Sequence, residues 1–90
     1  MVQKKSILML GRRDPTETMR VAAGLTIFSH TLSIVFLVPV PNTPENAEMA
    51  ELLEFSDVES KTTVPDQSLP YIGSEGLAAA VLAADEVINI

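Results

Sequence analysis

Two arginines, Arg12 and Arg13, stand directly after an apolar run and directly before Asp14 and Pro15, a pair of residue types that opens helices. Guanidinium groups beside the free N–H groups of a helix start suit an anion, and Thr16 lies in the same turn. The competing reading is that both arginines pair with Asp14, with Glu17 or with the acidic helix of a neighbouring chain, while Asp14 itself takes the helix N–H groups as a capping carboxylate. Tyr71, in a later loop, reads equally as a packing residue or as a ligand contact. His30 falls where a helix is expected to end, a place from which it can interact with the last carbonyls. Glu45, Glu48 and Glu51 recur at three-residue spacing, which suits either a hard cation or a solvated helix face, and no EF-hand loop accompanies them.

The composition removes most other chemistry. With no cysteine and one histidine, the chain has no thiolate nucleophile, disulfide, iron–sulfur ligand or Cys-containing zinc site. Its glycines form neither a GxGxxG fingerprint nor a P-loop. No catalytic residue, metal or cofactor is therefore predicted, and an enzyme is not expected. The net charge of −6 argues against nucleic acid, because sequence-independent affinity for it comes from Lys and Arg neutralising phosphates. The charges are also segregated: five of the six bases lie within residues 1–20, whereas residues 45–59 hold six acids and no base. Opposed patches of this kind suit self-association.

The groups above are positioned by alternating strands and helices. Residues 6–10 (SILML) form a continuous apolar run ended by Gly11, as expected of a strand covered on both faces. Asp14 as N-cap, Pro15 at the first position and Glu17 completing a capping box open a helix expected to run to about residue 29. A second buried strand is read over 32–38 (LSIVFLV), followed by a Pro-rich loop at 39–44. Thr43 then caps an amphipathic helix that reaches Phe55, with Met49, Leu52 and Leu53 as its apolar side. Residues 58–64 read as a third strand, 64–73 as a long loop, and Ser74 and Glu75 begin an Ala-rich helix that Asp85 ends. The last strand is 86–90 (EVINI). The order βαβαβαβ over one domain of residues 1–90 implies an α/β fold, a small parallel sheet of about four strands with helices on both faces. In such a sheet ligands sit outside the carboxyl ends of the strands, here the segments 11–14, 39–44 and 64–73.

Helix one carries two apolar stripes at roughly opposite positions, Val21, Leu25 and Phe28 on one and Met19, Ala23 and Ile27 on the other. One stripe can lie on the sheet, and the other is expected to meet another element or another subunit. A 90-residue domain buries only about 60–65% of the surface its unfolded chain exposes, so association is a ready source of further burial. These six residues are thus candidate oligomer contacts. Gly24, in the middle of the same helix, is either tolerated on an exposed strip or required by the close approach of a neighbouring backbone. The uncharged run 21–40 is long enough to span a bilayer, but Ser29, His30, Thr31, Ser33 and Pro39 interrupt it, so no membrane span is expected. No signal peptide fits the first apolar stretch, and a cytoplasmic location is expected.

The segment ILMLGRRDPTETMRVAAGL, the later LSIVFL and the closing SEGLAAAVLAADEVINI together resemble the DsrE/DsrF-like family over most of the chain. The resemblance implies a DsrE-like or flavodoxin-like layout, assembly into trimers or hexamers with itself or with related subunits, and a link to sulfur metabolism. Catalytic members carry sulfur on a cysteine in the loop after a central strand. Here that loop reads VPDQSLP, so the implied role is a non-catalytic oligomeric subunit or interaction module. A small-molecule or anion-binding module built on Arg12, Arg13 and the start of helix one is the alternative.

Overall fold

The computed structural model describes residues 5–28, 31–65 and 67–90, the Phe28 side chain excepted. Its elements follow the predicted order: β1 (Ser6–Gly11), α1 (Pro15–Leu25), β2 (Thr31–Phe36), α2 (Pro44–Phe55), β3 (Glu59–Thr62), α3 (Ser74–Ala83) and β4 (Glu86–Asn89). The strands form one parallel sheet in the order β3-β2-β1-β4. β1 and β2 are in register from Ser6 opposite Thr31 to Gly11 opposite Phe36. The fold is therefore the small α/β sheet that the alternation of elements implies.

Both proline-led helix starts fall where the sequence places them. The Asp14 carboxylate accepts from the N–H groups of Thr16 and Glu17 at 3.1 and 3.3 Å, and the Thr43 hydroxyl accepts from the Asn46 N–H at 3.2 Å. The capping box is not completed, because Glu17 turns its carboxylate to Arg20 at 2.7 Å. Helix one also stops earlier than expected. Its α-helical part ends at Leu25, and Thr26–Phe28 tightens into a 3₁₀ turn, with the Thr26 hydroxyl donating to the Ala23 carbonyl at 2.6 Å. α2 closes with Asp57 in the left-handed region (φ 62°), where the Val58 N–H reaches back to the Leu53 carbonyl at 2.9 Å. This Schellman arrangement turns the chain into β3 and buries Val58 beside Leu53.

The larger core lies between the sheet and the α1/α2 layer: Ile7 and Met9 from β1, Leu32, Ile34 and Phe36 from β2, Met19 and Ala22 from α1, and Leu53 from α2. On α1 the buried line runs through Pro15, Thr18, Met19 and Ala22, and Val21, Leu25 and Ala23 flank it half-buried against the same core. The two stripes are thus the margins of one broad arc rather than opposite faces. The small side chains of Thr18 and Ala22, both fully buried, lie between them. Part of the apolar surface for which the stripes suggested a second subunit is covered inside the chain, by α2 packed alongside, while Ile27 stays exposed. α2 departs from its expected pattern too, since its inward line is Asn46, Met49 and Leu53, while Leu52 is 51% and Phe55 89% exposed.

After β3 the chain bends round the sheet edge. Tyr71 bridges to Thr62, the Ile72 N–H donates to the Thr62 carbonyl at 2.8 Å, and α3 covers the opposite face through Leu77, Ala80 and Ala84 over Leu8, Val35 and Ile72. The uncharged run 21–40 is shared among the end of α1, the 3₁₀ turn, β2 and the loop after it. Among the described residues no helix is long and apolar enough to cross a membrane.

Candidate functional site

The loop after β1 is anchored at the centre of the sheet. The Arg12 N–H donates to the Ile90 carbonyl at 2.9 Å, and the Leu37 N–H donates to the Gly11 carbonyl at 2.8 Å, so the loop joins the ends of β4 and β2. Gly11 is tightly packed here, since an added Cβ would lie 3.0 Å from both the Phe36 ring and the Thr18 hydroxyl, and both of those side chains are buried. Arg12 and Arg13 are exposed and form no ion pair among the described residues. The expected pairing of these arginines with Asp14 or Glu17 is therefore absent, since Glu17 is held by Arg20 and Asp14 faces the helix. The other half of that reading stands: the Asp14 carboxylate occupies the N–H groups an anion would need.

Tyr71 does not join this loop. It is 63% exposed and sits beyond β3, about three strand spacings, or ~14 Å, from β1. His30 lies outside the described residues. Of the predicted oligomer contacts, Met19 is 2% exposed and taken up by the core of its own chain, and Val21, Ala23 and Leu25 are half-buried there. Ile27 is 79% exposed, and the Phe28 side chain lies outside the described residues. Glu45, Glu48 and Glu51 are exposed on the outer side of α2, and among the described residues no acidic, His or Cys cluster can hold a metal ion.

A cleft of about 450 Å³ opens instead between α2, β3 and the loops after β2 and β3. It exists because the facing positions carry small side chains: Ala47 and Ala50 on α2 look across at Ser60 on β3, and none of them fills the space a core residue would. Met19, Phe36, Val40 and Leu69 supply apolar lining, and Asn42, Asn46, Gln67 and Ser68 supply amides and a hydroxyl. Among the described residues none that lines the cleft is ionisable.

The polar groups are held rather than loose. Asn46 is 3% exposed, and its Nδ2 donates to the Pro41 carbonyl at 2.8 Å while its Oδ1 accepts from the Thr16 hydroxyl at 2.7 Å. Gln67 Oε1 accepts from the Val40 N–H at 3.1 Å, which ties the two loops together across the mouth. Of the residues predicted at the β1 loop, Thr16 is thus the one connected to the cleft, through Asn46. Sequence reasoning named both bordering loops as carboxyl-end segments but singled out neither Asn46 nor Gln67. Asn46 carries a legible signal in retrospect, as an amide three residues after a Thr-Pro helix start. Compared with protein-family models, curated proteins and solved structures, the chain matches none of them.

Proposed function

We propose that the chain is a small-molecule-binding module whose site is the cleft between α2 and β3, with the β1 loop acting only indirectly through Thr16 and Asn46. The observation that carries this reading is a surface cleft of about 450 Å³, within the range of small-molecule sites. Its position outside the carboxyl ends of parallel strands agrees with where open α/β sheets bind ligands. Among the described lining residues no acid–base pair accompanies the Ser60 and Ser68 hydroxyls, which supports binding as the activity. A ligand held here stabilises the folded chain by mass action. A thermal-shift screen of metabolite-sized compounds is expected to find at least one that raises the Tm of the wild type and leaves Ala50→Phe, whose ring fills the cleft, unchanged. A screen in which every hit acts equally on both proteins removes the reading.

A second reading, an oligomeric DsrE-like subunit, is supported by a different observation. α3 buries no residue, Val81 and Leu82 are 37% and 87% exposed, and among the described strands β4 has β1 as its sole neighbour. The link to sulfur metabolism rests on the resemblance alone, and without cysteine it leaves a supporting role only. Sedimentation at micromolar concentration is expected to give an assembly that Leu82→Glu disperses. A wild-type monomer would end this reading and leave the first untouched.

A further inference from the structure

Resting on the reading of the α2–β3 cleft as the binding site, we infer that its ligand is an uncharged heterocycle of nucleobase or nucleoside size, bound by an edge that both donates and accepts hydrogen bonds. Charge excludes the main alternatives. A carboxylate, phosphate or ammonium drawn into a partly enclosed cleft loses hydration, and no ionisable group among the described lining residues replaces it. The overall charge of −6 adds a field that opposes an anion. Arg12 and Arg13 do not offset this, because neither belongs to the lining.

The hydrogen-bonding groups narrow the class further. Gln67 uses its oxygen on the Val40 N–H, which leaves its amide N–H groups as donors, while the Ser60 and Ser68 hydroxyls act in either sense. Asn46 is locked by its bonds to Thr16 and Pro41, so it presents a fixed rather than an adaptable polar wall. An anchored amide donor beside two hydroxyls favours a ligand edge that both accepts and donates, because a ligand without such an edge leaves the groups in the site unpaired. Val40 and Leu69, half-buried at the rim of the core, offer the apolar surface on which a flat ring packs, with Phe36 and Met19 buried behind them. The volume is near the lower end for ligand sites, enough for a ring system with one sugar and too small for a dinucleotide.

The test is titration of the full chain, followed by calorimetry and by Tm, with adenosine, guanosine, cytidine, uridine and thymidine, then with the corresponding 5′-monophosphates, then with a broad set of uncharged non-aromatic metabolites. At least one nucleoside is expected to bind, its monophosphate to bind at least about tenfold more weakly, and Ala50→Phe to lose the binding while melting as a folded protein. A monophosphate that binds as tightly as its nucleoside, in a manner Ala50→Phe abolishes, overturns the uncharged class and leaves the cleft as the site. Binding of non-aromatic compounds alone, again sensitive to Ala50→Phe, overturns the heterocycle and likewise leaves the site. Failure of all three sets overturns both.

Discussion

On the α1/α2 face of the sheet, Ile7, Met9, Leu32, Ile34 and Phe36 are all at most 3% exposed, whereas on the α3 face Leu8 and Val35 reach that level and the helix above them buries no residue of its own. The difference comes from what each face has to cover it. Two helices lie over β1, β2 and β3 on one side, and their inward lines are made of Met19, Ala22 and Leu53. On the other side a single helix reaches the sheet through Leu77, Ala80 and Ala84, and the outer half of that face carries the Lys61–Glu59 ion pair at 3.2 Å instead. A parallel sheet is normally buried on both faces, so the thin face is where this chain departs from its class. The well-covered face also holds the cleft and all three buried polar residues of the described chain, Thr18, Asn46 and Thr62. Stability and the candidate site therefore share one layer, and the opposite layer is free to differ.

The largest effect that can break this comparison is a matched pair of truncations. Phe36→Ala, at a ring 1% exposed beneath α1 and α2, is expected to cost about 3–5 kcal/mol, enough to unfold most of the population of a domain this small. Leu77→Ala on α3, half-exposed in the wild type, is expected to cost about 1 kcal/mol. Urea midpoints of the two variants decide the matter. Equal losses would show that the faces carry equal loads.

A middle-sized effect tests whether the polar groups of the well-covered face are structural partners. Asn46→Ala removes the acceptor of Thr16 and the donor to Pro41, and is expected to destabilise by about 1–3 kcal/mol. Thr16→Val breaks one of the same bonds, so the double variant is expected to lose less than the sum of the two single losses. Additive losses in the denaturation cycle would mean that Thr16 and Asn46 act independently and that the β1 loop has no connection to the cleft.

How much of this was legible depends on whether a feature is local. Asp14-Pro15 and Thr43-Pro44 mark both helix starts to the residue, because an N-cap and a proline at the first position act within a few residues of chain. The continuous apolar runs of β1 and β2 announce a buried parallel sheet for the same reason. The single arc of α1 was not legible, since Thr18 does not count as apolar in a pattern and yet is fully buried, its hydroxyl donating to the Asp14 carbonyl at 3.0 Å. Exposure of Leu52 and Phe55 was equally hidden, because a helix period does not say how far the sheet beneath extends. The cleft is the least legible feature. It is a shortage of volume created when Ala47 and Ala50 meet Ser60 from another element, and each of these residues is unremarkable in its own segment. Arg12 and Arg13 were visible as a basic loop, but not that Glu17 pairs with Arg20 rather than with either of them.

The smallest effect sharpens the comparison most, because it sets one glycine from each layer against the other. Gly24 of α1 was open to two explanations, a tolerated residue on an exposed strip or a point of close backbone approach. A Cβ added there meets nothing within 4 Å, so within this chain the glycine only weakens its helix. Gly24→Ala is expected to raise stability by about 0.5–1 kcal/mol through helix propensity and the narrower unfolded ensemble. Gly76 of α3 faces the same arithmetic with a different neighbour, since its added Cβ would lie 2.8 Å from Cγ1 of Ile72, a side chain packed with Leu8 and Val35. Ile72 cannot withdraw without opening the small cluster that holds α3 on the sheet. Gly76→Ala is therefore expected to forfeit the propensity gain and lower the urea midpoint, opposite in sign to Gly24→Ala. Were both alanines to stabilise alike, Ile72 would be yielding without cost, and the α3 layer would be looser than a half-covered face requires.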